Sequence, residues 1–175
     1  MQDKQFTRIV NVRNLLLVLL TISTVSFAKG RIGEWAAYDY VEKTEKSEIK
    51  GQLIKEIIES EDKKLTTGEQ VIVVKVSEKL ILNGRAGDEK FYWTEDTNLF
   101  TKFELNLYVQ LCRFQKNLGS YEKINVKAGK FGACKIKNQE SWIGAVPFST
   151  LLYMTNDGTT FKRFELINYG WKKKD

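Results

Sequence analysis

Two pairs of acidic residues flank an aromatic stretch and are the first candidates for catalysis. Asp88 and Glu89 precede Phe91–Trp93, and Glu95 and Asp96 follow it. Two carboxyl groups that face one cleft at a set separation are what glycoside hydrolysis requires. Acidic residues beside a strand are also ordinary turn residues, so a carboxylate-dependent hydrolase is the third of three functional hypotheses for this chain.

The chain contains no histidine. Its absence removes the usual general base for serine and cysteine nucleophiles. It also removes the commonest ligand for zinc, copper and non-haem iron. We therefore expect a non-enzymatic protein without a cofactor or a bound metal, with carboxylate chemistry as the remaining catalytic alternative.

Two cysteines, Cys112 and Cys134, are the only ones in the chain. An even count in an oxidising compartment favours pairing. A redox or metal-binding role would be indicated by Cys-x-x-Cys spacing, which is absent. The sequence therefore predicts a structural disulfide between Cys112 and Cys134.

The N-terminus has the three zones of an export signal. Lys4, Arg8 and Arg13 precede an uncharged apolar run, Leu15–Phe27, which ends in Ser26-Phe27-Ala28. This run is shorter than the roughly 20 residues of a membrane-spanning helix. We expect a signal-peptide helix over residues 1–28, cleavage after Ala28, and a single periplasmic or secreted domain over 29–175 with no membrane span. A buried N-terminal helix and an uncleaved anchor are the alternatives.

The charge pattern bears on the class of partner. The 28 basic and 22 acidic residues are interspersed, except at Lys172–Lys174. A protein that follows a nucleic-acid backbone shows an extended basic stripe, so we expect no nucleic-acid partner. The three terminal lysines are typical of a solvated tail, and contact with an anionic lipid or polymer is the alternative.

Short segments of β-type residues are separated by turn residues along the rest of the chain. Val71–Val76 is dense in β-branched residues, which favour strands. Asn83-Gly84 and Asn156-Asp157-Gly158 are typical turn sequences. The predicted strands are 34–43, 48–60, 70–82, 90–94, 103–111, 121–127, 130–137, 141–146, 150–155 and 159–169.

Two of these segments also fit a helix. Glu48–Ser60 places apolar residues at positions that satisfy an amphipathic helix, and we favour a strand. Phe103–Leu111 alternates apolar and polar residues, which predicts a strand with one buried face. A helix with Leu105, Tyr108, Val109 and Cys112 on one face is the alternative, but it leaves Leu107 and Leu111 unexplained.

Eight to ten antiparallel strands cannot form a flat sheet, because each strand is rotated relative to its neighbour. We expect an all-β fold, a curved antiparallel meander that forms a barrel or half-barrel. Its concave face could be lined by aromatic side chains, although these could equally fill a solid core. The candidate ligand-facing aromatics are Trp35, Tyr92, Trp93, Trp142, Phe148, Tyr153, Phe161 and Phe164.

Several short motifs carry a resemblance to a known group of proteins. They are Gly33–Tyr38, Val126–Lys135, Trp142, Val146-Pro147-Phe148 and Leu166–Gly170. Together they resemble a widespread group of uncharacterised secreted bacterial β-proteins, which are similar in fold to the half-barrel carriers of periplasmic lipoproteins. The resemblance implies a curved sheet and no catalytic residues. The stretch 103–114 departs from the usual pattern.

Three functions follow from these observations as hypotheses. The first is a binding module that holds a lipid-like or other apolar ligand on the concave face of the sheet. The second is an envelope protein that acts through contacts with another protein. The third is the carboxylate-dependent hydrolase.

Overall fold

The computed structural model describes residues 31–96 and 99–171, and these form one curved antiparallel sheet with a single helix. The all-β prediction is confirmed. The predicted signal peptide, residues 1–28, and Lys172–Lys174 lie outside the described residues. The nine strands of the described residues are β1 (Trp35–Thr44), β2 (Glu48–Lys64), β3 (Gln70–Leu82), β4 (Arg85–Glu95), β5 (Gly119–Val126), β6 (Gly129–Ile136), β7 (Ser141–Ile143), β8 (Thr150–Asn156) and β9 (Thr160–Gly170).

The sheet consists of two meanders joined through the first and last strands. Its order is β4-β3-β2-β1-β9-β8-β7-β6-β5, and every neighbouring pair is antiparallel. Trp35 of β1 lies opposite Gly170 of β9, and Thr44 lies opposite Thr160. The sheet is not closed into a barrel, and β4 and β5 are its two edges.

The predicted turn at Asn83-Gly84 is confirmed. Both residues have positive φ, 49° and 77°. A two-residue hairpin turn whose twist matches the flanking strands requires positive φ at both positions, which Asn and Gly tolerate. The same hairpin carries the long β3, whose β-branched residues include Val73, Val74 and Val76, all of them buried.

The prediction for Phe103–Leu111 is wrong, because this stretch forms the helix α1 (Lys102–Leu111). Thr101 caps the helix: its side chain accepts a hydrogen bond from the Glu104 amide, and the Glu104 carboxylate accepts one from the Thr101 amide at 2.7 Å. This reciprocal arrangement satisfies two amides that the first turn would leave without partners. The buried face is formed by Leu105, Val109 and Cys112.

The ambiguous segment at Glu48–Ser60 is a strand, as predicted. It is the first part of β2, which continues to Lys64 and pairs with β1 on one side and β3 on the other. Leu53 and Ile57 are buried on one face of this strand. The helical spacing of the apolar residues in this segment therefore did not decide the structure, because the ladders on both sides favour the strand.

Buried apolar residues form two clusters. The larger one includes Tyr38, Leu53, Leu151 and Leu166, and the smaller one consists of Ile57, Val74 and Val76. Phe148 packs against both clusters. This side chain comes from the connection between β7 and β8, so that connection bridges the two halves of the core.

The predicted disulfide between Cys112 and Cys134 is present, with a Cα–Cα distance of 5.8 Å. Cys112 caps the C-terminus of α1, and Cys134 lies in β6. The bridge therefore fastens the helix to the sheet. Among residues 31–96 and 99–171, no helix has the length and apolar character needed to cross a membrane.

Candidate ligand groove

A groove of about 270 Å³ lies on the face of the sheet that carries Tyr38. Its walls come from β3, β2, β1, β9 and β8, which are consecutive in the sheet. In a flat sheet, four spacings of about 4.8 Å would separate β3 from β8 by about 19 Å. Side chains from both strands line this one small groove, which shows that the sheet is concave here.

The lining of the groove is mainly apolar and aromatic. Tyr38 lies opposite Leu53 on one side and Leu166 on the other, and side chains of directly opposed residues share a face. The next pair along the strands, Tyr40 and Phe164, has ring centroids 4.9 Å apart. The groove is lined by Tyr38, Leu53, Lys55, Glu78, Phe148, Thr150, Tyr153 and Phe164.

The charged residues of the groove neutralise each other. Lys55 Nζ lies 2.9 Å from Glu78 Oε2, and both side chains are half-buried. They are directly opposed on β2 and β3. The pair gives the groove a polar end without a net charge, so the groove suits a neutral or weakly polar molecule.

Tyr38 supplies a second polar group. Only 3% of the residue is exposed, and its hydroxyl has no hydrogen-bond partner among the described residues. Burial raises the pKa of this phenol far above its ordinary value of 10.0, with a smaller contribution from Tyr92, so the hydroxyl stays protonated. Buried hydroxyls in proteins nearly always have a partner. The Tyr38 hydroxyl is therefore an unsatisfied buried donor beneath the wall of the groove.

The connection that carries Phe148 into the groove has a strained backbone. Phe148 and Ser149 have φ values of 60° and 61°. Two successive residues other than glycine in the left-handed region each cost on the order of 1–2 kcal/mol. Hydrogen bonds from the Gly144 amide to the Ser149 carbonyl (2.8 Å) and from the Ser149 amide to the Val146 carbonyl (2.9 Å) hold this conformation. Strain of this kind is commonly found at ligand-contacting loops.

Three of the eight aromatic residues predicted to face a ligand, Phe148, Tyr153 and Phe164, line the groove. The other five lie elsewhere. Trp142 is buried in the core, and the half-buried Trp35 packs its ring against Gly170. Tyr92 and Trp93 are exposed on opposite faces of the edge strand β4, and Phe161 lies in β9 opposite Lys43.

Five residues that line the groove were not predicted from the sequence: Tyr38, Leu53, Lys55, Glu78 and Thr150. Tyr38 could have been found, because Tyr38, Asp39 and Tyr40 show the apolar-polar-apolar alternation of a strand with one buried face. Lys55 and Glu78 carried no such signal. Their position in the groove depends on the pairing of β2 with β3.

The acidic residues considered for catalysis are not gathered in one cleft. Glu89 accepts a hydrogen bond from the Ser77 hydroxyl on the face of β4 opposite to the groove, and Asp88 is exposed. Glu95 is six residues further along the same strand, about 20 Å away at the rise of an extended chain. The carboxyl pairs of glycosidases are about 5–9.5 Å apart.

Asp96 belongs to a buried ionic cluster instead. Arg31, which is 4% exposed, contacts Glu34 Oε2 at 3.1 Å and Asp96 Oδ1 at 3.2 Å. It also donates to the carbonyls of Leu99 and Phe100. Burial raises the pKa of both carboxyls, and the Arg31 charge offsets this only in part. The cluster ties the segment before β1 to the connection that follows β4.

In the part of the chain that the structure describes, no group of three or more acidic or cysteine side chains is arranged to hold a metal ion. Comparison with protein-family models, curated proteins and solved structures finds no match to this chain. The resemblance to secreted bacterial β-proteins therefore remains a prediction from short motifs.

Proposed function

We propose that this protein is a non-enzymatic binding module that holds a small, largely apolar ligand in the concave groove. The observation that carries the proposal is the composition of the groove, in which aromatic rings and Leu53 form most of the lining and one internally neutralised ion pair forms a polar end. Ligand pockets combine a mainly apolar lining with a few polar groups that fix orientation. Here those groups are the Tyr38 hydroxyl and the Lys55–Glu78 pair.

The volume of the groove limits the ligand. At about 30 Å³ per water-sized group, 270 Å³ holds about nine such groups. This is enough for part of one acyl chain or for a small ring system. If a ligand displaces one side chain of the wall, a ligand oxygen can accept a hydrogen bond from the Tyr38 hydroxyl. This bond removes the energetic cost of leaving that hydroxyl without a partner.

We propose a periplasmic or secreted location for this activity. The support comes from the signal-peptide pattern of residues 1–28 and from the disulfide, since such bonds persist in oxidising compartments and are rare in the cytosol. Fractionation of host cells with mass spectrometry of the N-terminus tests this part. A mature product that begins at Met1 in the cytosol would contradict it.

Ligand binding is tested by two measurements on protein purified from its native host. Mass spectrometry of an organic extract is expected to find a bound apolar compound, and a fluorescent fatty acid is expected to bind with a stoichiometry near one. Thr150→Trp fills the groove from its edge and is expected to abolish probe binding. Phe161→Ala is the matched control, because Phe161 lies on β9 outside the groove.

The proposal is contradicted if no compound is extracted and the fluorescent fatty acid does not bind. Equal probe binding by the wild type and Thr150→Trp also contradicts it. The melting temperature of each variant shows whether a loss of binding comes from unfolding.

The edge strand β4 supports a second candidate function, contact with another envelope protein. Phe91, Tyr92 and Trp93 are exposed on a strand at the end of the sheet order. Open edge strands can pair with an extended segment of a partner. A photo-crosslinker at Phe91 should capture one defined partner in intact cells, whereas one at Thr67, in the exposed β2–β3 turn, should not. Capture of no protein at either site would remove this candidate.

A further inference from the structure

Helix α1 has two apolar faces, of which the sheet covers only one. Leu105, Val109 and Cys112 pack inward. Phe103, Leu107 and Leu111 follow one another at intervals of four residues, which places them together on the opposite side of the helix. Phe103 is 72% exposed and Leu107 is 42% exposed. A helix that only had to cover the sheet would carry polar residues at these positions.

The exposed apolar side chains continue beyond both ends of the helix. Phe100, before the cap residue Thr101, is 53% exposed, and Phe114, two residues after Cys112, is 82% exposed. We refer to Phe100, Phe103, Leu107 and Phe114 as the α1 ridge. Large exposed apolar groups that lie close together mark an interaction surface more often than scattered ones do.

A basic cleft lies at the C-terminal end of the same helix. It has a volume of about 570 Å³ and begins at Cys112, the C-cap of α1. Four cationic residues line it, Arg113, Lys116, Lys135 and Lys137, and its described lining contains no acidic residue. Phe114 of the ridge lies between Arg113 and Lys116 in the sequence, so one short segment after α1 carries both an exposed apolar residue and two cations of the cleft.

The cations of the cleft are only partly occupied by contacts within the protein. Arg113 stacks on Tyr121, with its guanidinium carbon 4.1 Å from the ring centroid, and Nη2 donates to the hydroxyl at 2.7 Å. This contact orients the charge without neutralising it. Lys135 is paired with Glu140 at 2.8 Å. Lys116 and Lys137 form no ion pair among the described residues. Glu104, the acidic residue on α1, is engaged in the helix cap.

We propose that the α1 ridge and the basic cleft together dock this protein onto the surface of an anionic phospholipid bilayer. Phenylalanine and leucine side chains insert into the boundary between headgroups and acyl chains, while nearby lysines and arginines are attracted to anionic headgroups. A surface that combines the two, with no carboxylate in the cleft, is complementary to such a bilayer. This docking is independent of the groove and would hold even if the groove bound nothing.

Vesicle flotation tests the proposal. The purified protein is mixed with vesicles of phosphatidylcholine alone or with added phosphatidylglycerol, at low and at high salt. Every variant is compared in the same form of the chain, so that any contribution from residues 1–28 is common to all. We expect binding to the anionic vesicles at low salt, and weaker binding to neutral vesicles or at high salt, because salt screens exposed charges.

Two sets of variants separate the apolar and the electrostatic parts. Arg113→Gln, Lys116→Gln and Lys137→Gln together should weaken binding to anionic vesicles about a hundredfold, at about one kilocalorie per mole for each charge near the surface. The control, with the same change in net charge, is Lys46→Gln, Lys63→Gln and Lys64→Gln, which lie in the β1–β2 turn and at the end of β2. It should retain most of the binding.

Phe103→Ser with Phe114→Ser should abolish binding to both kinds of vesicle, whereas Phe91→Ser with Ile58→Ser, exposed apolar residues elsewhere, should not. The proposal is overturned if the wild type does not float with anionic vesicles, or if the cleft variant and its control bind alike. It is also overturned if Phe103→Ser with Phe114→Ser only dissolves a dimer, as measured by sedimentation, and leaves flotation unchanged.

Discussion

Arg31 Nη1 lies 3.2 Å from Asp96 Oδ1, in a contact between residues 65 positions apart in the chain. With Glu34 at 3.1 Å, the guanidinium contacts two carboxylates, of which Glu34 is buried and Asp96 is partly buried. Burial raises the pKa of both acids. The cluster therefore makes the stability of the fold depend on pH in a direction that exposed carboxylates do not share.

Glu34→Gln is predicted to remove part of that pH dependence. An acid whose pKa is raised by folding binds more protons in the native state, so its contribution to stability falls as pH rises from its ordinary value, 4.5, through the raised value. The stability of the wild type relative to Glu34→Gln should therefore decrease as pH rises above 4.5 through the raised pKa. Denaturant unfolding at a series of pH values measures this difference.

Asp157→Asn is the contrasting variant for this measurement. Hydrogen bonds from the amide and hydroxyl of Thr159 and from the amide of Thr160 lower the pKa of Asp157 below its ordinary value of 3.8. The contribution of Asp157 to stability is therefore fully present above pH 3.8 and is lost as pH falls through the lowered pKa. The stability of the wild type relative to Asp157→Asn should therefore increase as pH rises through this acidic range. The same slope for both variants would contradict the opposite shifts.

Tyr38→Phe is predicted to stabilise the free protein and to weaken ligand binding. Removal of a buried hydroxyl without a partner relieves a penalty of about 1 kcal/mol or more. Tyr40→Phe is the control, because the Tyr40 hydroxyl donates to the Glu42 carboxylate and its removal should cost about 1 kcal/mol. Chemical denaturation and the fluorescent fatty acid assay measure the two effects. A destabilised Tyr38→Phe would mean that the hydroxyl has a partner.

Replacement of Cys112 and Cys134 by alanine is predicted to lower the free energy of unfolding by about 3 kcal/mol, because the bridge closes a loop of 22 residues in the unfolded chain. Reduction of the wild type should give a loss of similar size. Loss of the bond should also accelerate amide hydrogen exchange more in α1 than in β1, since the bond fastens the helix to β6. An unchanged unfolding midpoint would contradict the prediction.

Thr101→Ala is predicted to destabilise α1 by about 1 kcal/mol, through loss of the side chain that accepts the Glu104 amide. Thr101→Ser retains an acceptor and should be nearly neutral. Amide exchange in residues 102–111 measures the effect directly. If the alanine and serine variants exchange alike, the cap does not contribute.

The fold could be predicted from the sequence where local chemistry and pairing agree. The β-branched residues of β3 and the Asn83-Gly84 turn specify their hairpin without help from distant parts of the chain. The helix was predicted as a strand because its apolar residues lie on two faces. Taken together, the residues of both faces alternate with polar residues along the sequence, as they would in a strand. The Thr101-x-x-Glu104 capping box was the signal that could have identified it.

The groove could be predicted only in part, because it depends on which strands become neighbours. Phe148, Tyr153 and Phe164 line the groove, and they come from the β7–β8 connection and from β8 and β9, which follow one another along the chain. Tyr92 and Trp93 lie outside it on the edge strand β4, whose position follows from the strand order of the whole sheet. No local pattern encodes a contact between residues as distant as Trp35 and Gly170.

That central pairing also has a kinetic consequence. Each meander forms through hairpins between neighbouring strands. The ladder between β1 and β9 instead requires contact between residues that are separated by most of the chain. Contacts of such high sequence separation slow folding. We expect the ladder between β1 and β9 to be the last part of the sheet to form. A nascent chain released before Gly170 would lack part of the strand that joins the two halves.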